Sequence, residues 1–350
     1  MLDWFDHAQP GKYWSLLDIS KRYNKIRIPA LHISGWYDTY LKGSVDSFLT
    51  LCFSAGSDFA RDHQYLIAGP WVHIPWGDRI GPANFGPEAL LDTNTILLRW
   101  LDHWLKDSGS FAGEPRIRHF VLGENRWRQA AAFPVEANHA LYLHSGGNAN
   151  SRKGDGTLSQ EKPASDEPCD IFVHDPEVPV MAPGGAGAAS GPFDQSALEM
   201  GNNVLVYSTE PLADPLWIFG IPRIALHAST SVKNTDFTAK LVRVRPDGTA
   251  DFISMGAARS SYLFRTSGYE ANRIHTWNFS LDATSCRFDR GDRIRIEIAS
   301  SAFPLFDKNP GSDVPPRDAT SWDWRRSTQI VYHSKEFASA LYLPAGETPL

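Results

Sequence analysis

Residues 28–40 read IPALHISGWYDTY, a short apolar strand that breaks at Gly35 and delivers Asp38 three residues later. Residues 63–76, HQYLIAGPWVHIPW, repeat the arrangement: an apolar run, a break at Gly69-Pro70, and then His73. Between them, Gly43 to Ala55 carries Val45, Phe48, Leu49 and Cys52 at the i, i+3, i+4, i+7 spacing of an amphipathic helix. A strand–helix–strand unit crosses over right-handed, so its two strands run parallel. Their carboxyl ends then open on one edge of the sheet, where open α/β folds hold ligands. Asp38 and His73 would meet there. A carboxylate beside an imidazole fixes its tautomer and stabilises the imidazolium that forms when it takes a proton. The order Asp before His is that of the second and third members of an α/β-hydrolase triad.

The α/β pattern continues through a Gly/Pro-rich loop, Gly77 to Pro87, into a helix expected over Glu88 to Lys106. Leu90, Leu91, Leu97, Leu98, Leu101, Trp104 and Leu105 are expected to form its buried face. From about Arg116 the helical period stops. Short strands are expected at Ile117–Leu122, Ala140–His144, Val204–Tyr207, Arg223–Ala228, Phe237–Val244 and Arg293–Ile298, with turns such as Arg245-Pro246-Asp247-Gly248 between them. Asn148–Pro168 and Pro183–Pro192 read as loops. The later part of the chain is thus expected to be an all-β sandwich, of the jelly-roll kind.

Composition narrows the function. Thirty-four basic against 40 acidic residues leave a net charge of −6, which argues against nucleic acid or a membrane surface as partner. No apolar run is long enough for a transmembrane helix. Cys52, Cys169 and Cys286 are odd in number and lack zinc-type spacing, so a reducing, cytoplasmic setting is the expectation. No metal or organic cofactor is implied.

GWYDTY and LIAGPWVH resemble the acid and histidine motifs of the cocaine esterase and X-Pro dipeptidyl-peptidase family of serine hydrolases. The resemblance runs on through RHFVLGENRW (118–127), GDGTLS (154–159), GPFDQ (191–195), TDFTAKL (235–241), SSAFP (300–304) and VYHS (331–334). It implies the C-terminal part of an α/β-hydrolase domain at residues 1–135, followed by a jelly-roll, galactose-binding-like β-sandwich at residues 136–350. Asp38 and His73 are the implied catalytic residues, and small acyl esters, amides or X-Pro peptides the implied substrates. That family carries its nucleophile in a Gly-x-Ser-x-Gly elbow. No serine of this sequence has glycine two residues away on both sides. Pro10 to Ile19 looks like the tail of the family's helical cap. An N-terminal hydrolase segment is therefore expected to supply the serine, and these residues alone are expected to be inactive. Ser34 lies near Asp38 but within a strand, where no elbow presents it.

Trp36, Tyr37, Tyr40, Trp71 and Trp76 are candidates to line a substrate pocket, with packing around the strand ends as the alternative. Thr39-Tyr40-Leu41-Lys42 lacks the carboxylates that amine-selecting relatives place after the acid. Asp289, Asp292, Asp307 and Asp313 show no calcium-loop pattern and read as turn and surface residues. His103 and His333 read as core or surface, and Trp322 to Arg326 as a contact between the two parts, with a sugar-stacking platform as the alternative. The competing function is a non-catalytic jelly-roll module that binds carbohydrate or a partner chain.

Overall fold

The first apolar run forms β1 (Ala30–Gly35) and the second forms β2 (Gln64–Gly69), with helix α1 (Leu41–Ser54) crossing between them. The computed structural model describes residues 2–346 apart from 8, 10, 109, 110, 112 and 188. Pro10, which opens the cap-tail motif, Ala188 in the second expected loop, and residues 347–350 at the end of the expected second unit lie outside the described residues. β1 and β2 pair in parallel from Ala30 opposite Gln64 to Gly35 opposite Gly69. β3 (Ile117–Val121) adds in parallel to β2, and β4 (Arg126–Ala130) returns antiparallel. Among the described residues the sheet order is β1-β2-β3-β4, which leaves the outer edge of β1 without a partner strand.

The long helix differs from its expectation in start and in face. Leu90 is extended after a single 3-10 turn at Pro87–Ala89, and α2 runs from Thr93 to Lys106. Asp92 sets that start, because its side chain accepts the Thr95 N–H at 3.0 Å and satisfies a donor that the first turn leaves open. Asp107 ends it in the left-handed conformation, at φ 50°. The buried face holds Ile96 and Trp100, packed with Ile67, Trp71 and Phe111. Leu98, Leu101 and Leu105 are exposed instead, by 62%, 45% and 76%. The leucines make one stripe and the buried pair another, so this helix is apolar on two sides.

The rest of the chain is built mainly of strands, consistent with the expected β-sandwich. They are β5 (His139–His144), β6 (Thr157–Ser159), β7 (Asp170–His174), β8 (Leu205–Ser208), β9 (Leu216–Gly220) and β10 (Arg223–Thr230). After these come β11 (Asp236–Val244), β12 (Ala250–Arg259), β13 (His275–Ser280), β14 (Thr284–Phe288) and β15 (Arg293–Ala299). β16 (Ser327–Tyr332), β17 (Ala340–Leu343) and β18 (Ala345–Gly346) complete it. The main sheet is ordered β12-β11-β15-β8-β6-β5-β17-β10-β16-β7, with β13 also on β10, while β14-β9-β18 form a second. β6 falls inside the stretch expected to be loop. β15 is buried along nearly its whole length although its sequence alternates Arg-Ile-Arg-Ile-Glu-Ile. Its polar members are held by partners: Arg295 by Glu199 at 2.5 Å and Glu297 by Lys240 at 2.8 Å.

One continuous apolar core runs from Trp36 and Leu41 through Phe120 to Phe237 and Leu341. The two parts also share backbone bonds, since Leu122 N–H donates to Ser285 O at 2.9 Å and Arg287 N–H to Leu122 O at 2.8 Å. His119 sits at this seam, fully buried, stacked on Phe219 and 2.8 Å from Ser285 Oγ through Nδ1. Burial, helped by the charge of Arg128, pushes its pKa down to about 3. A lowered folded pKa stabilises above the unfolded value of 6.5 and loses that stabilisation as pH falls. The free energy of unfolding should therefore fall by up to about 5 kcal/mol from this group alone on acidification. His119→Phe should flatten the acid limb, and an unchanged limb would assign the loss elsewhere.

Trp322 is 86% exposed, so the expected contact between the parts is not made there. Arg317, in the same connection, makes it by pairing with Asp6. Asp292 closes a turn by accepting the Asp289 N–H, and Asp313 pairs with Lys233. Among the described residues no three His, Cys, Asp or Glu side chains are placed to hold a metal ion, and no helix is long and apolar enough to cross a membrane.

Candidate active site

The strand ends bring Asp38 and His73 together. His73 Nδ1 lies 3.3 Å from Asp38 Oδ1 and 3.5 Å from Oδ2. Asp38 is 6% exposed and His73 is 56% exposed, so the carboxylate is the buried anchor and the imidazole faces outward. Asp38 is itself fixed: its Oδ1 accepts the Tyr40 N–H at 2.8 Å, and its backbone bonds Gly35 O and Leu41 N–H close the turn. The Tyr40 ring stands edge-on to the imidazole at 4.8 Å. His73 is thus held from one side by Asp38 and from another by Tyr40, and among the described residues Nε2 has no hydrogen-bond partner.

The two glycines at the strand ends make this approach possible. The Trp36 N–H donates to Gly69 O and the Tyr37 N–H to Trp71 O, which carries the β1–β2 pairing past the strands. A Cβ on Gly35 would lie 2.1 Å from Trp71 O, and one on Gly69 would lie 2.4 Å from the Trp71 ring. Any side chain at either position would push the two ends apart. Gly35→Ala should accordingly separate Asp38 from His73. A crystal structure of that variant retaining the 3.3 Å contact would contradict this.

The five aromatic candidates divide. Trp36 is buried and donates its Nε1–H to Phe120 O at 2.7 Å, and Trp71 is fully buried and donates to Ala89 O at 2.9 Å. Tyr37 is 1% exposed and packs with Phe85. These three side chains are buried in the core. Trp76 is half-buried and stacked on Trp71 at 5.4 Å, while Tyr40 is 63% exposed beside His73. Ser34 is fully buried, and its hydroxyl donates to Asp38 Oδ2 at 3.5 Å. Sequence reading passed over Thr39, whose Oγ1 donates to Ala186 O at 3.1 Å and ties the loop between β7 and β8 to the site. A lone threonine after an aspartate carries no signal of such a contact.

An Asp–His pair presented at the carboxyl ends of adjacent parallel strands, joined to a strand-rich second part, defines a hydrolase-type α/β unit. Residues 109–342 match the X-Pro dipeptidyl-peptidase C-terminal non-catalytic domain, and residues 1–75 match the X-Pro dipeptidyl-peptidase (S15 family). The chain belongs to this family of esterase- and peptidase-type hydrolases. It is 34% identical over 317 residues to the cocaine esterase of Rhodococcus sp. (strain MB1 Bresler), covering 87% of this chain and 54% of that one. Its structure is similar to an alpha-amino acid ester hydrolase, with a TM-score of 0.85 and 26% identity over 99% of this chain and 60% of that chain. An aminopeptidase from a marine sediment Thaumarchaeota archaeon superposes with a TM-score of 0.83 and 27% identity, covering 98% and 59%. The chain spans about half the length of the curated relatives it matches.

Proposed function

We propose that this chain carries the acid and histidine of a serine hydrolase that cleaves small esters or amides, X-Pro peptide bonds among them, by acyl transfer. The observation that carries the reading is the Asp38–His73 pair, buried carboxylate behind and open imidazole in front. His73 Nε2 takes the proton of a serine hydroxyl as its oxygen attacks the substrate carbonyl, then returns it to the leaving alcohol or amine. Water, deprotonated by the same nitrogen, releases the acid and restores the serine. Asp38 holds Nδ1–H and balances the imidazolium. Tyr40 and Trp76 border the acyl group. The similarity to a cocaine esterase, an alpha-amino acid ester hydrolase and an aminopeptidase supports an ester or amide substrate.

The serine comes from a segment outside residues 1–350, on the same or another chain. Three observations support this. No Gly-x-Ser-x-Gly exists in the sequence. The edge of β1 has no partner among the described residues. Leu98, Leu101 and Leu105 expose an apolar stripe on the helix that packs on the same sheet. Residues 1–135 are then the closing portion of the catalytic domain, and residues 136–350 a jelly roll of the galactose-binding-like kind.

A fluorophosphonate probe tests the proposal. Residues 1–350 alone should take no label and show no esterase turnover. Supplying the segment that precedes them in the relatives should give a single labelled serine on that segment and restore turnover. Label on any serine within these residues would overturn the assignment of the nucleophile.

A further inference from the structure

Residues 182–187 and 189–195, in the second part, form the two legs of a strap that reaches the site. The legs pair through Gly185 and Gly191, whose N–H groups each donate to the other's O at 2.9 Å. On the outgoing leg, Ala186 O accepts the Thr39 hydroxyl at 3.1 Å, one residue past Asp38. The returning leg lies against the segment that leaves His73. A Cβ on Gly191 would be 3.0 Å from Ile80 O, and one on Gly81 would be 2.7 Å from both Ser190 O and the Phe193 ring. The strap thus touches the turn after Asp38 and the chain after His73, and the second contact has no room for a side chain.

One side chain closes the strap. Gln195 is fully buried, and its Nε2–H groups donate to Pro183 O and Phe193 O, each at 2.8 Å. That uses both donors of the amide. Its Oε1 accepts from Lys240 Nζ at 2.9 Å, and Lys240 pairs at 2.8 Å with Glu297, its partner across β11 and β15. The buried cation therefore fixes which end of the amide faces the strap. The Gln195 N–H donates to Ala250 O at 2.8 Å and lays the returning leg on β12. The outgoing leg ends Gly184-Gly185-Ala186-Gly187, with no side chain larger than a methyl, so hydrogen bonds such as these set its shape.

We propose that Gln195 is a positioning residue for the Asp38–His73 pair, acting through the strap and Thr39; this rests on the hydrolase reading above. Without the amide donors the legs part, Ala186 O withdraws from Thr39, and the turn that carries Asp38 gains freedom. Misplacing a reacting group by about 1 Å costs about 10²-fold in rate.

Kinetics of residues 1–350 assembled with the segment that precedes them in the relatives, and amide hydrogen exchange on residues 1–350 alone, test this. Gln195→Leu should lower kcat about 10²-fold with KM changed little. Thr39→Val removes only the donor and should lower kcat up to about tenfold, and Thr39→Ser, which keeps the donor, should restore it. Thr39 is exposed, so its variants carry the test even where Gln195→Leu folds poorly. In the Gln195→Leu background Thr39→Val should cost nothing more, because its contact is already lost; a side chain that only stabilised the second part would give an additive pair and no rescue. Exchange at the Asp38, Tyr40 and Leu41 amides should quicken in both Gln195→Leu and Thr39→Val. Wild-type kcat in either of these variants, additivity of the pair, or unchanged exchange would each overturn the positioning role alone. Absence of turnover in the assembled wild type would instead overturn the hydrolase reading on which it rests.

Discussion

His73→Ala will lower the kcat of the assembled hydrolase by about 10⁴- to 10⁶-fold, with KM changed little. The imidazole is 56% exposed, paired with Asp38 and edge-on to Tyr40, so its removal opens no core cavity. The melting temperature should stay within a degree or two, which assigns the loss to chemistry. Asp38→Asn should cost about 10⁴-fold, because the amide carries no charge to balance the imidazolium and its NH2, turned toward Nδ1, favours the wrong tautomer. Combining the two should cost little more than His73→Ala alone, since members of such a unit act together. Steady-state kinetics on a chromogenic ester, with circular dichroism on the same samples, decides the matter. A loss under tenfold for His73→Ala would remove this residue from the mechanism.

The second large effect is on stability, at a cluster that sequence reading had left as an ordinary histidine. His333 is fully buried and lies between two carboxylates, with Nε2 2.8 Å from Asp170 and Nδ1 3.2 Å from Glu167. Asp170 also accepts from the Tyr207 hydroxyl at 2.6 Å, Ser145 Oγ at 2.7 Å and the Ala149 N–H at 2.8 Å. His144 reaches Glu167 from the other side at 2.7 Å. These residues tie β5, β7, β8 and the chain leaving β16. Burial alone would pull the His333 pKa down, but the hydrogen bond and charge of Asp170, then those of Glu167, more than offset it, and the net shift is upward. Burial likewise raises Asp170, and the bonds from His333, Tyr207, Ala149 and Ser145 outweigh that and lower it.

The pH dependence has two limbs. His333, raised above 6.5, contributes fully below that value, and its contribution disappears as pH rises through the folded pKa. Asp170, lowered below 3.8, contributes above that value and loses its part as pH falls through its folded pKa. Asp170→Ala strips a buried imidazolium of its nearest anion and should cost about 3–5 kcal/mol. His333→Gln should cost less at alkaline than at neutral pH, because the wild type has by then lost the charge. Urea unfolding at neutral and mildly alkaline pH measures both. An Asp170→Ala penalty below about 1 kcal/mol would show that the cluster contributes nothing beyond packing.

Much of the α/β part was legible because its signals are local. The Gly35 and Gly69 breaks, the apolar runs before them and the helical stripe between them dictate parallel strands, and parallel strands dictate that Asp38 and His73 share an edge. The long helix misled for an equally physical reason. A stripe of leucines marks an apolar face but does not say which surface covers it, and the described core took Ile96 and Trp100. The same limit applied to the aromatics: Trp36, Tyr37 and Trp71 read as pocket or core with equal ease. Hydrogen bonds to carbonyls far along the chain, such as Trp36 to Phe120, turned the tryptophans inward.

By itself the sequence determined the order of elements, the pairing of an acid with a histidine at two strand ends, and the absence of an elbow serine among these residues. These follow from short-range spacing and backbone rules. Only the tertiary structure decided which polar residues are buried in partnership, as with Arg295 and Glu297 in a strand whose alternation suggests one wet face. It alone gathered Ser145, Glu167, Asp170, Tyr207 and His333 into one network. Partners more than a hundred residues apart, such as Asp170 and His333, are chosen by strand pairing across the whole sheet, and no local pattern encodes that choice.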